Sequence, residues 1–137
     1  DVNVNGNVSA NSLVAEGCTI TANSYAVTSG NLKRCNLLRA GANSIAPDFN
    51  GHILEDFYTD FPFVRVVGGG SVWRNASVKS VRLIPSSSGF GNFDWTGGSA
   101  YSILFDASSA SLDGSFTAYN VVIRNVKSLS GGVSVVN

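Results

Sequence analysis

Glu55, Asp56 and Asp60 form the tightest group of carboxylates in the chain. Two positioned carboxylates are the minimum equipment for glycoside hydrolysis, one as acid and one as base or nucleophile. Glu55 and Asp56 are consecutive, so on a strand they face opposite sides, and only a bend would bring them together. Asp60 precedes Phe61-Pro62 and reads as a turn residue. The pairs open to this chemistry are therefore Glu55 with Asp60, or either with Asp94. A lyase would need a base and a cation, for which Tyr58 or His52 with Arg65 are the candidates. His52 follows Asn50-Gly51, a turn signal, and is expected to be exposed or capping. Serine is abundant, but no nucleophile-elbow sequence occurs. Gly68-Gly69-Gly70 lacks the Lys-Ser/Thr of a phosphate-cradling loop. Cys18, Cys35 and the single histidine lack metal-ligand spacing, so no metal and no cofactor are expected. The two cysteines are read as buried free thiols, with a disulfide as the alternative.

Sugar binding asks for less. Aromatic rings stack on sugar faces, while amides, hydroxyls and carboxylates bond the sugar hydroxyls. The segment from about residue 84 to 101 carries Phe90, Phe93, Trp95 and Tyr101 among glycines and serines. Four aromatics are foreign to a flexible linker. The segment reads as an ordered loop that offers Trp95, Phe93 and Tyr101, with Asn92 and Asp94, to a carbohydrate. The competing role for these rings is packing or a subunit interface.

The elements that must position these residues are strands. Of 137 residues, 20 are Ser, 17 Val, 15 Gly and 14 Asn, which together suit strands and turns rather than helices. Internal repetition is visible. Ile53-Leu54-Glu55-Asp56-Phe57 lies over Val122-Ile123-Arg124-Asn125-Val126, and Phe63–Val67 over Gly132–Val136. Val72-Trp73-Arg74-Asn75-Ala76 and Ile103-Leu104-Phe105-Asp106-Ala107 have the same form. The Asp/Asn positions 56, 75, 106 and 125 are thus 19, 31 and 19 apart. Weaker copies around Gly17-Cys18 and Arg34-Cys35 put the two cysteines at equivalent positions. Such a step, with short strands, fits a coiled β-solenoid whose rungs bury their apolar side chains only by stacking. Asp56, Asn75, Asp106 and Asn125 are then expected to form a structural ladder at a recurring turn, with Glu55 and Arg74 outward on adjacent rungs. The expected fold is all-β, a right-handed parallel β-helix-like solenoid, with a jelly-roll-like β-sandwich as the alternative.

Nine Lys/Arg offset nine Asp/Glu, and charged residues make up only 13%. A dedicated nucleic-acid binder normally shows a basic face, so nucleic acid is not an expected partner. No apolar run approaches the roughly 20 residues of a membrane-spanning helix, and membrane insertion is not expected.

Residues 1–17, with Val2, Val4, Gly6, Val8, Ala10 and Leu13, resemble a pattern of bacteriophage tail fibres and tailspikes. In that family it forms a short β lead-in to a fibrous or solenoid region. Residues 18–137 resemble the rungs of the parallel β-helices of tailspikes and pectate-lyase-like proteins. The resemblance implies a lead-in element and a single solenoid domain carrying the aromatic loop. It also implies host attachment from an extracellular virion tail, in a homotrimer, through a bacterial surface polysaccharide. A catalytic depolymerase fragment using Glu55, Asp60 and Asp94, and a ligand-free trimerisation or folding domain, are the alternatives. A secreted bacterial β-helix protein is another. With so few carboxylates the reading leans away from catalysis. The start at Asp1 is read as that of a processed or excised product.

Overall fold

The computed structural model describes residues 3–105, 116–125 and 133–136. The described residues form twelve strands and no helix. They are β1 (Asn3–Glu16), β2 (Thr19–Lys33), β3 (Asn36–Arg39), β4 (His52–Thr59), β5 (Val64–Val67) and β6 (Val72–Ser77). They continue as β7 (Ser80–Ile84), β8 (Phe93–Ala100), β9 (Ser102–Phe105), β10 (Phe116–Tyr119), β11 (Val122–Ile123) and β12 (Val133–Val136). Nine of them make one sheet in the order β1-β2-β3-β4-β6-β8-β10-β12, with β11 also on β8. The second sheet is β5-β7-β9. Every pairing between these strands is parallel.

The chain is therefore an all-β parallel solenoid of about six turns. A jelly-roll sandwich would require antiparallel neighbours. β1 pairs with β2 along almost its whole length, so the N-terminal segment is the edge strand of the large sheet.

Stacking places like positions above one another and builds the core from columns. Leu32, Leu54, Trp73 and Trp95 occupy one column, in register from rung to rung, and all four are completely buried. Val64, Val81 and Ile103 form another, on the small sheet. The aromatics interlock edge to face: Trp73 meets Trp95 at 5.1 Å and 71°, and Phe93 at 4.8 Å and 77°. Phe49 sits edge-on to Trp73 and Phe57. Burying one indole removes roughly 150–250 Å² from water, worth at most ~4–6 kcal/mol at about 25 cal/mol/Å².

Two sequence registers are corrected by the pairing. Ile103 pairs with Val81 on the small sheet, so Ile103–Phe105 is not a copy of Val72–Arg74. β12 lies on β10 in the large sheet, whereas Val64–Val67 belongs to the small one. The segment read as an aromatic loop is also largely a rung. Phe93–Ala100 is strand β8, leaving residues 85–92 as the connection, where Ser86 and Gly89 bridge antiparallel and Phe90 is buried against Phe105.

Candidate functional site

The large sheet turns a corner at one recurring backbone position. Gly17, Arg34, Asp56, Asn75, Gly97 and Asn120 all have left-handed φ, between 48° and 68°. The register on either side of each puts them in a single column. Gly, Asn and Asp tolerate that conformation best, which is why five of the six are of those types. Asn75 Nδ2 donates to Asp56 Oδ1 at 2.7 Å across adjacent rungs, so this part of the expected ladder is present. Asp106 lies outside the described residues, and its neighbour Phe105 pairs with Leu83 on the other sheet. Asn125 is also left-handed (φ 55°), but lies five residues beyond Asn120, which holds the corner in that rung. Arg34 is the exception in type, and its Nη2 bonds Glu16 Oε1 at 2.6 Å. The cysteines stack as their repeat positions required, with Sγ atoms 3.2 Å apart and both thiols free and buried.

The carboxylates do not converge. Glu55 points outward and pairs with Lys33 at 3.3 Å, although Arg74 lies next to it in register on the other side. Asp94 is two rungs away and two residues earlier in its strand, a Cα separation of ~12 Å from strand and rung spacings. Asp60 lies beyond the corner, where its Oδ1 accepts the Arg39 N–H at 2.7 Å. None of the three lines the hollows beside Tyr101 and Phe63.

The lyase set is dispersed too. His52 is wholly buried rather than exposed. It alternates inward with Leu54, and that pattern overrides the turn signal before it. Its Nδ1–H donates to Asn50 O at 2.7 Å, which leaves Nε2 to accept from Tyr25 Oη at 3.1 Å. Burial lowers its pKa below the usual 6.5, outweighing the opposing bond to Asn50. Arg65 is held bidentately by Asp48 at 2.6 and 2.9 Å. Tyr58 is exposed on the outside of β4.

The proposed sugar-contacting rings divide sharply. Phe93 and Trp95 are 0% exposed and belong to the core, so neither can stack on a ligand. Their alternation in the sequence, with Asp94 and Thr96 outward, was the available signal. Asn92 is exposed just before β8. Tyr101 is 54% exposed at the bend between the two sheets.

Around Tyr101 lie residues that the sequence reading did not single out. Lys79 precedes it by one rung, its carbonyl accepting the Tyr101 N–H, and Arg124 follows it by one. The Arg124 guanidinium stands 5.6 Å from the Tyr101 ring centre. A hollow of about 220 Å³ opens there, lined by Ser99, Tyr101, Val122 and Arg124. A second of the same volume lies alongside, lined by Phe63, Ser80, Arg82 and Ser102. In it Arg82 lies over the Phe63 ring at 4.3 Å, and the Ser80 and Ser102 hydroxyls are 2.7 Å apart. Stacked cation–aromatic pairs of this kind were not legible because their members are 19 and 23 residues apart in sequence.

Among the described residues no three His, Cys, Asp or Glu side chains gather as a metal site. Comparison with protein-family models, with characterised proteins and with solved structures finds no match.

Proposed function

We propose that this chain is a host-attachment domain of a bacteriophage tail fibre or tailspike, and that it binds a bacterial surface polysaccharide without cleaving it. The observation that carries the reading is the exposed Tyr101 ring beside a hollow lined by Ser99, Val122 and Arg124 on a parallel wall. A ring on a strand-built wall is held in place before the ligand arrives, which lowers the ordering cost of binding. Tyr58, exposed and in register with the half-buried Ser77 and Ser99, adds a second exposed ring two rungs before Tyr101. The separation of Glu55, Asp60 and Asp94 favours binding over hydrolysis. Exposed apolar side chains elsewhere, Val14, Ile45 and Ile53, suit burial against sister subunits of a homotrimer on the virion tail.

The test is a survey of purified bacterial capsules and O-antigens, read for retention of the chain, for released reducing ends and for trimers by light scattering. Retention without reducing ends, weakened by Tyr101→Ala, is expected. Retention of no polysaccharide, or reducing ends lost on Glu55→Gln and Asp60→Asn, would overturn the reading.

A further inference from the structure

We infer that the ridge between the two sheets selects an anionic saccharide, and that Lys79, Arg82 and Arg124 are the residues that read its charge. The inference rests on the polysaccharide-binding reading above and specifies its ligand.

The balance of charge differs along the surface. On the first rungs several outward cations are paired, Arg34 with Glu16, Lys33 with Glu55 and Arg65 with Asp48, while Arg39 and Arg74 are exposed without such a pair among the described residues. Further along, Lys79, Arg82 and Arg124 are all exposed, and none has a carboxylate partner among the described residues. Asp60, one rung before Lys79, accepts the Arg39 N–H and keeps its negative charge, but forms no ion pair with Lys79 among the described residues. Arg82 lines one hollow and Arg124 the other, and Lys79 lies one rung before Tyr101, in a chain whose formal net charge is zero.

The chemistry of the ridge is specific as well as basic. Both guanidiniums lie over rings, Arg82 on Phe63 and Arg124 on Tyr101. Stacking of this kind orients the guanidinium while leaving its edge N–H groups free for a carboxylate. The Ser80 and Ser102 hydroxyls, between Lys79 and Arg82 and next to Tyr101, supply donors and acceptors for neutral sugar oxygens. Lys79 and Arg124 are two rungs apart, about 10 Å at the usual strand spacing, which suits a chain that repeats its charge at intervals of a sugar unit or two. A nucleic acid would meet the same cations, and single-stranded DNA is therefore one arm of the test.

The test uses immobilised acidic polysaccharides (a polygalacturonate and uronate-containing capsules), neutral glucans and single-stranded DNA. Wild type is expected to retain acidic polysaccharides, with affinity falling as salt screens the contacts. Combined Lys79→Gln, Arg82→Gln and Arg124→Gln should weaken that retention roughly tenfold or more, the loss of one to two charge-assisted contacts. Arg39→Gln, which removes one exposed positive charge elsewhere on the surface, should not weaken it. These replacements are exposed, and an unchanged urea midpoint verifies that they fold. Equal retention of neutral glucans, or a triple variant that binds as wild type, overturns the inference and leaves polysaccharide binding standing. DNA bound as tightly as uronates overturns it in favour of a site that reads charge alone. Retention of no glycan of either kind overturns both.

Discussion

The imidazole of His52 fills the space that a side chain at Gly30 would take. The two residues are partners in register on adjacent rungs, and a methyl group on Gly30 would stand 2.6 Å from Cδ2 and 2.8 Å from Nε2 of the ring. The ring is fixed in turn by Asn50 O and Tyr25 Oη, so it has nowhere to retreat without breaking a buried hydrogen bond. Gly30→Ala should therefore lower stability by about 1–3 kcal/mol, the usual cost of overpacking. In urea unfolding, combining it with His52→Ala should cost less than the sum of the single changes, since the second makes room for the first.

Stability should fall below neutral pH because of the same histidine. His52 is neutral in the fold with a lowered pKa, while the unfolded chain takes up a proton near 6.5. Its contribution is complete above about 6.5 and is lost as pH falls through that value toward the lower folded pKa. The urea midpoint should drop between pH 7 and 5.5, and drop less in His52→Gln. The alkaline limit comes from two groups kept neutral by burial. The Cys18 thiol is pushed from 9.0 up to about 11, by burial first and then by its bond to Cys35. The Tyr25 phenol is raised above 10.0 by burial. Their contribution is complete below pH 9 and declines as pH rises beyond it.

The corner column makes a separable prediction at Asn75. Alanine there loses both the bond to Asp56 and a residue suited to left-handed φ, at a cost of about 1–2 kcal/mol. Asn75→Gly keeps the backbone freedom and loses only the exposed hydrogen bond. Thermal or urea unfolding should place it clearly above Asn75→Ala.

Trp95 within β8 and Tyr101 just after it should behave oppositely. Trp95→Ala empties a core column and should cost about 3–5 kcal/mol. Tyr101→Ala changes an exposed ring and should leave stability within about 0.5 kcal/mol, while weakening glycan retention. A Tyr101→Ala protein as unstable as Trp95→Ala would show that the ring is a structural prop.

Much of the fold could be read from sequence because stacking repeats local chemistry. Leu54-Glu55-Asp56-Phe57 and Trp73-Arg74-Asn75-Ala76 match in register, as do Cys18 and Cys35. The next copy, Trp95-Thr96-Gly97-Gly98, was hidden because glycine replaces asparagine at the corner and a serine- and glycine-rich stretch precedes it. Ile103–Phe105 mimicked it while belonging to the other sheet. The burial of Phe93 and Trp95 followed from strand alternation, and only the loop reading obscured it. The ridge was not legible at all, since its contacts arise from which rungs become neighbours and not from spacing along the chain.

The parallel register has a kinetic consequence. Its partners are never far apart in sequence: Asn3 to Thr19 is 16 residues and Thr96 to Tyr119 is 23. Closing each turn thus has nearly the same entropic cost, because that cost grows only with the logarithm of loop length. An all-β chain usually folds slowly because its strands find distant partners. Here each completed rung offers an edge to the next few residues, so the chain can wind up progressively from any well-formed pair of turns. The Trp73–Trp95 pair, joining consecutive rungs at the centre of the core, is the natural place for that winding to start.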